Sequence, residues 1–294
     1  MTDARRVIVS GADSRYFPLL QSLVSSIRDK RASEDVDIAV IDLGLDEADV
    51  AWLDEHRAKA FRPSLSLFRG ARESLKAFST RPLLPECLPG YDPYLWMDAD
   101  AWVQDWAAVD LYFDAAAGGA LAIVPSFDRG YRELIPSLRL LTVFGFVVAV
   151  RGWMVSNYRR GYGQRTAARL ALTPTINSGV FALRADAPHW AEWAECYRAA
   201  RRARNRRGFD QVALNYAIFE RSLDAAFLPA WCNWVCGRGL PKVDPASGLL
   251  VEPHPPHVPL GIVHLIGRKR EPEAELAVLG GGTVRRALTY PVAD

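Results

Sequence analysis

Two carboxylates one residue apart end an apolar run. In Tyr94-Leu95-Trp96-Met97-Asp98-Ala99-Asp100 the acids follow four large apolar side chains, and Ala101-Trp102-Val103 resumes the apolar pattern. Alternate side chains of an extended segment point the same way, so Asp98 and Asp100 face one point in space. A buried strand that delivers two acids at its end is suited to a hard divalent cation, which keeps positions open for substrate oxygens, phosphates above all. An Asp-rich turn after a strand accounts for the same spacing, and the pattern alone does not choose between the two. Asp13 lies in a turn after the first apolar strand. Asp210-Gln211 opens a helix, where a first-turn Asp complements the helix dipole and leaves Gln211 unexplained. His264 sits in Ile262-Val263-His264-Leu265-Ile266-Gly267, followed by Arg268, Lys269 and Arg270. A single His on an apolar strand is ordinarily a satisfied core residue. Cys232, Cys236, His254 and His257 have a spacing that zinc tolerates, but Trp234 and Gly237 replace the usual knuckle, so buried thiols and surface histidines are expected there.

The elements that must position these residues follow from hydrophobic period. Val7-Ile8-Val9 reads as a short buried strand, Ser10 to Ser14 as a loop, and Tyr16 to Arg28 as a helix with Leu19, Leu20, Leu23, Val24 and Ile27 at helical spacing. Asp37 to Leu43 is a second strand and Asp46 to Ala58 a second helix. Further helices are expected at 71–78, 106–116, 188–204 and 210–219, and further strands at 120–124 and 176–183. Alternating strands and helices mean an α/β fold with a parallel sheet covered on both faces, whose ligands sit beyond the carboxyl ends of the strands. Asp13 and the Asp98/Asp100 pair would both lie there. Residues 127–173 are rich in Arg and aromatics and enclose the apolar run Leu140 to Val150. That segment suits an acceptor-binding insertion, a lid or a membrane-surface element, with packed helices as the plain expectation. Residues 227–294 read as loop-rich.

The 294 residues, half of them hydrophobic and 24% charged, are enough for a sizeable core and have ordinary soluble composition. A net charge of +2 gives no sign of a nucleic-acid partner, and none is expected. All but five of the 36 basic residues are Arg, which suits bidentate phosphate contacts. Four cysteines make no disulfide framework, so a reducing, cytoplasmic setting is expected. The N-terminus enters Val7-Ile8-Val9 directly from charged residues, so no secretory signal is expected. The apolar run 140–150 falls far short of the roughly 20 residues a spanning helix needs. The basic run Arg201 to Arg207 reads as a solvated helix end, with attraction to anionic lipid or glycan as the second reading.

Taken in order, these pieces resemble the GT-A-fold nucleotide-sugar glycosyltransferases, most closely the retaining family 8. The strand Tyr94 to Asp100 is similar to that family's Tyr-Leu-Asp-x-Asp element, and Ala12-Asp13 with Tyr16 to its base-binding loop. Arg81 stands at the family's distance upstream of the acids. Asn177-Ser178-Gly179-Val180 and Asp210-Gln211-Val212-Ala213-Leu214-Asn215 resemble two further motifs. Leu228-Pro229 with Trp231 and Asn233, then His264-x-x-Gly267, complete the series. The resemblance implies a single GT-A catalytic domain with a nucleotide-binding half (1–125) and an acceptor-binding, metal-closing half (126–294). It implies that Asp98, Asp100 and His264 ligate Mn²⁺ or Mg²⁺ on the diphosphate of a UDP-hexose. Asp13 and Tyr16 would hold the base, Arg81 the acids or phosphates, and Gly267 and Arg270 the phosphate side. Asp210, Gln211 and Asn177 would face the sugar, Gln211 stabilising an oxocarbenium-like state. The acceptor implied is a hydroxyl on a glycan or glycolipid, with a possible peripheral contact at the inner membrane surface.

The chain departs from the family's His-x-x-Gly-x-x-Lys-Pro-Trp ending, having Arg270 and then Glu271. Two other classes compete: a catalytically silent relative that binds nucleotide or glycan, and a sugar nucleotidyltransferase. The silent relative would have lost Asp100, His264 or Gln211. The nucleotidyltransferase would carry a Gly- and Lys-rich loop where Ser10-Gly11-Ala12-Asp13 stands.

Overall fold

The computed structural model describes residues 5–63, 80–133, 138–143, 146–203, 210–268 and 272–292. The first half runs β1 (Arg5–Ala12), α1 (Phe17–Arg28), β2 (Asp37–Asp42), α2 (Glu47–Glu55) and β3 (Ala58–Phe61). A 3₁₀ turn at Arg81–Leu83 leads into α3 (Leu84–Cys87), β4 (Tyr91–Met97), β5 (Ala101–Val103), α4 (Ala107–Ala117) and β6 (Leu121–Pro125). Next come β7 (Arg139–Val143), β8 (Phe146–Arg151), α5 (Trp153–Tyr162), α6 (Gln164–Arg169) and β9 (Ile176–Leu183). Helices α7 (His189–Ala203) and α8 (Asp210–Glu220) precede β10 (Ala225–Phe227). Six short strands close the chain: β11 (Trp234–Val235), β12 (Lys242–Val243), β13 (Leu250–Val251), β14 (Ile262–His264), β15 (Glu273–Ala277) and β16 (Thr283–Ala287).

The main sheet has the order β10-β6-β9-β4-β1-β2-β3. Its pairs are parallel except those of β9, which runs antiparallel between β4 and β6. Strands from both halves of the chain therefore share one sheet. Both faces are buried, which is why its strands read as continuous apolar runs rather than alternating ones. Ile8, Leu95, Met97 and Val180 point into one layer with Leu20, Leu23 and Tyr112. Their neighbours Val7, Val9, Tyr94, Trp96 and Phe181 point into the other with Trp190, Trp193 and Leu214. Each such side chain contributes about 1.5–3 kcal/mol by burial, so the sheet is held hardest where β1, β4 and β9 lie side by side.

A second sheet, β11-β14-β5, packs at the carboxyl end of the first. The chain crosses from one sheet to the other in three residues, Asp98 to Asp100, between the end of β4 and the start of β5. The acids are thus the corner between two sheets.

Three expectations need correction. Strand β1 continues through Ser10 to Ala12, paired with β2 as far as Ala12↔Asp42, where a loop was expected from Ser10. The second helix ends at Glu55, and β3 follows as a further edge strand. The described residues of the apolar run 140–150 are not helical: β7 and β8 pair antiparallel, and α5 begins at Trp153. The helix expected at 71–78 lies outside the described residues. Among those described, no helix is long and apolar enough to cross a membrane.

Candidate active site and metal centre

Strands β1 and β4 are parallel and in register with Val9 opposite Trp96, so Asp13 and Asp98 project past the same edge of the sheet. Asp13 follows β1, and its Oδ1 accepts from the Tyr16 backbone N–H at 3.1 Å, forming the turn that starts α1. Tyr16 is 40% exposed on this edge. Ser14 ties the loop to α2: its hydroxyl donates to Asp49 and accepts from the Asp46 N–H at 2.9 Å. Asp46 in turn caps α2 by accepting from Asp49 N–H at 2.8 Å.

Asp98 is fixed from three sides. Its backbone N–H donates to Gly179 O at 2.7 Å, the Trp96 indole N–H donates to Oδ1 at 2.8 Å, and Arg81 donates to the same oxygen. Arg81, 4% exposed, lies over the Trp96 ring at 4.8 Å and also donates to Asp210 Oδ2 at 2.8 Å and Ser178 Oγ at 3.0 Å. Burial alone would lower the Arg81 pKa, but Asp210 and Asp98 more than offset it, so the guanidinium is held firmly cationic. The Asp210 carboxyl is pushed up by burial, against the pull of Arg81. Trp193 donates its indole N–H to Asp210 O at 2.8 Å, holding the first turn of α8 in place. The Asn215 side chain accepts from Ile176 N–H and donates to Ile176 O, both at 2.9 Å, and donates to Gln211 O at 2.7 Å, so α8 is locked to β9.

The orientation of His264 follows from a chain of hydrogen bonds. The Gly179 N–H must donate, so the atom of Asn177 that meets it at 2.9 Å is Oδ1. The Asn233 atom facing that oxygen at 3.4 Å must then be Nδ2, which leaves Asn233 Oδ1 to face His264 Nδ1 at 2.8 Å. Nδ1 therefore carries a proton, and in the neutral ring Nε2 is bare. Nε2 is buried, makes no hydrogen bond among the described residues, and lies 3.5 Å from Asp100 Oδ1 and 3.9 Å from Asp98 Oδ2. One ligand atom from each of the three residues lies within 4.8 Å of the other two. With the ring neutral, Nε2 and the two carboxylates set lone pairs against one another in a buried corner, and a divalent ion would relieve that repulsion. The donor set fits: two carboxylates suit Mg²⁺ or Mn²⁺, and the imidazole suits Mn²⁺ better.

Gly179 keeps the space open. A Cβ there would stand 2.4 Å from His264 Cε1 and 2.9 Å from Asp98 Oδ2. Gly267 has a left-handed φ of +81°, and its Cα would lie 3.1 Å from a Cβ on Gly237, so two backbones cross where His264 leaves β14. Lys269 and Arg270 lie outside the described residues.

The structure thus brings together Asp98, Asp100, His264, Arg81, Asn177 and Asp210, with Gln211 beginning α8 beside them. Asp13 and Tyr16 stand farther along the same edge. Reasoning from sequence did not find Trp96 as a donor to Asp98, nor the part Asn233 plays in setting the tautomer. The Cys232/Cys236 alternative carries no metal group among the described residues. Both thiols are pushed up to about 12 by burial, and so stay protonated.

By sequence, neither a family model nor a curated protein matches the chain. By structure, the fold is GT-A, the glycosyltransferase class built on such a sheet. The galactosyltransferase LgtC, solved in complex with donor and acceptor sugar analogues, superposes with a TM-score of 0.52 at 16% identity, over 78% of this chain and 75% of that one. The bifunctional glycosyltransferase WbbM gives 0.54 at 16% over 81% of this chain and 41% of that one. Mouse xyloside xylosyltransferase 1 gives 0.50 at 14% over 79% and 87%. At these identities the likeness is one of fold.

Proposed function

We propose that this chain is a metal-dependent, retaining hexosyltransferase that takes a nucleoside diphosphate sugar, UDP-linked, and transfers the hexose to a hydroxyl on a glycan or glycolipid. The observation that carries the reading is the buried Nε2 of His264, without a hydrogen bond among the described residues and facing Asp98 and Asp100. A core histidine needs no carboxylates around its second nitrogen. The GT-A fold and the sugar analogues bound by LgtC support this choice of substrate class.

Asp98, Asp100 and His264 would hold the cation. When bound, it neutralises charge on the departing diphosphate, a Lewis-acid assistance that needs no proton transfer. Asp13 and the exposed Tyr16 ring hold the base by hydrogen bonding and stacking, and Gly267 with Arg270 contributes to the phosphate side. Asp210 is 2% exposed and committed to Arg81, so its part is to position that guanidinium and the start of α8. Gln211 offers a neutral amide dipole toward the oxocarbenium-like sugar; an amide is a poor nucleophile, which favours stabilisation over covalent attack. Asn177 accepts from the Gly179 N–H within β9 and, through Asn233, holds the ring of His264. The four free cysteines fit the cytoplasmic setting in this reading.

Thermal unfolding with nucleoside diphosphates, each with and without Mn²⁺, tests it. A ligand at about 100 times its dissociation constant stabilises by roughly 2.7 kcal/mol. UDP with Mn²⁺ is expected to raise the midpoint, and Asp100→Ala to abolish the rise. A shift with another nucleotide changes the donor. No shift with any of them makes the chain a silent relative.

A further inference from the structure

Residues 134 to 185 contain seven arginines and no Asp, Glu or Lys, in a chain whose overall charge is nearly balanced. This run includes the β7–β8 hairpin, α5 and α6. Three of its arginines find acids outside it: Arg139 reaches Glu133, Arg169 reaches Glu220, and Arg184 reaches Asp92 and Asp186. Arg151, Arg159, Arg160 and Arg165 are exposed and have no acidic partner among the described residues.

Apolar side chains are exposed in the same insertion. Leu140 is 55% exposed, Leu141 45%, Trp153 41% and Leu172 68%. The hairpin register places Arg139 directly opposite Arg151, a like-charge pair in which Arg139 has Glu133 as a partner and Arg151 has no acid among the described residues. On α5, Trp153 and Arg160 are seven residues apart and share a helix face, while Met154, Val155 and Tyr158 are buried on the other. An indole beside a guanidinium on one exposed face suits a lipid headgroup boundary, where the ring sits at the interface and Arg extends to phosphate.

A second helix end joins this surface. Helices α5 and α7 approach so closely at Gly161 and Ala200 that a Cβ on Gly161 would lie 3.2 Å from that of Ala200. Arg202, exposed near the end of α7, lies two residues beyond that contact. Clustered arginines with interspersed exposed leucines and a Trp are complementary to an anionic, amphiphilic sheet. A soluble polyanion would take the charges and leave the leucines in water.

We propose that the β7–β8 hairpin, the exposed face of α5 and the end of α7 form a docking surface for an anionic phospholipid bilayer. The insertion also packs on the catalytic helix: Leu138, Val150, Met154 and Tyr158 cluster with Val212, the neighbour of Gln211, and Tyr162 stacks on Tyr216 at 3.8 Å. Docking would therefore set the start of α8 at a fixed relation to the membrane. Lipid binding itself does not rest on the glycosyltransferase reading and is measured with no sugar donor present.

The test is flotation of the full chain with vesicles of phosphatidylcholine alone, or with about one-third phosphatidylglycerol, at low and at about 1 M salt, where charge attraction is screened to a few ångströms. Binding only to the phosphatidylglycerol vesicles, reversed by salt, is expected. Arg151→Gln with Arg160→Gln should lower the partition coefficient by about tenfold or more. Leu140→Ser with Leu141→Ser should lower it at unchanged charge. All four positions are solvent-exposed, and an unchanged thermal midpoint confirms that the variants are folded. Equal binding to both vesicle types, no binding to either, or wild-type binding by both variant pairs would overturn the proposal. So would full competition by heparin with no effect of the leucine changes, which would make the surface a polyanion site.

Discussion

Two histidines are almost fully buried, His189 at 2% and His264 at 0% exposure, and they live in opposite surroundings. Each has one ring nitrogen hydrogen-bonded: His189 Nε2 to Asp224 O at 2.8 Å, His264 Nδ1 to Asn233 Oδ1 at 2.8 Å. Each has a second nitrogen with no hydrogen bond among the described residues. What faces that second nitrogen separates them. At His264 it is two carboxylates, while burial pushes the His189 pKa down and keeps that ring a neutral packing element. Burial and a hydrogen bond are common to both, so neither marks a functional histidine. The two histidines differ in the acids that face the remaining nitrogen.

The comparison can be broken most forcefully from the charge side. Arg81→Met leaves Asp210 buried and Asp98 short of a donor, and should cost about 3–5 kcal/mol in chemical unfolding. A loss below about 1 kcal/mol would mean the acids at the corner are not held by Arg81. Next, His264→Ala should remove the Mn²⁺- and UDP-linked stabilisation, roughly 2.7 kcal/mol at saturating ligand, while the metal-free protein remains folded. His189→Ala should do the reverse, costing about 1–3 kcal/mol and leaving the ligand shift intact. Equal losses of metal-free stability in both variants would return His264 to the core. The smallest effect concerns pH. His189 has a folded pKa depressed below the ordinary 6.5, so its contribution is complete above that value and is lost as pH falls below it. Urea midpoints should decline on acidification below neutrality, and His189→Gln should flatten the slope. An unchanged slope would mean His189 is not buried neutral.

How much of this was legible depended on whether the cause was local. The strand ending in Asp98 and Asp100, the alternation of strands and helices, and the start of α8 at Asp210 could be read because period and capping act over a few residues. His264 on its own pattern read as a core residue; only its place in a series of motifs suggested otherwise, because the acids that define it lie in another strand. The tautomer was out of reach for the same reason, since it is set through Gly179, Asn177 and Asn233 on separate segments. The β7–β8 hairpin is a different kind of miss. Its apolar run has no helical period, and Thr142, Val143, Val147, Val148 and Val150 are β-branched. Length and hydrophobicity outweighed that signal.

The corner at Asp98 to Asp100 has a consequence for how the molecule comes into being. Its two carboxylates are synthesised early, whereas the imidazole arrives on β14, which must pair with β5 before Nε2 can reach them. A chain still on the ribosome, or one cut short before Ile262, holds the acids without the third donor. The group of three side chains is therefore complete only once β14 has been made and has folded back against β5.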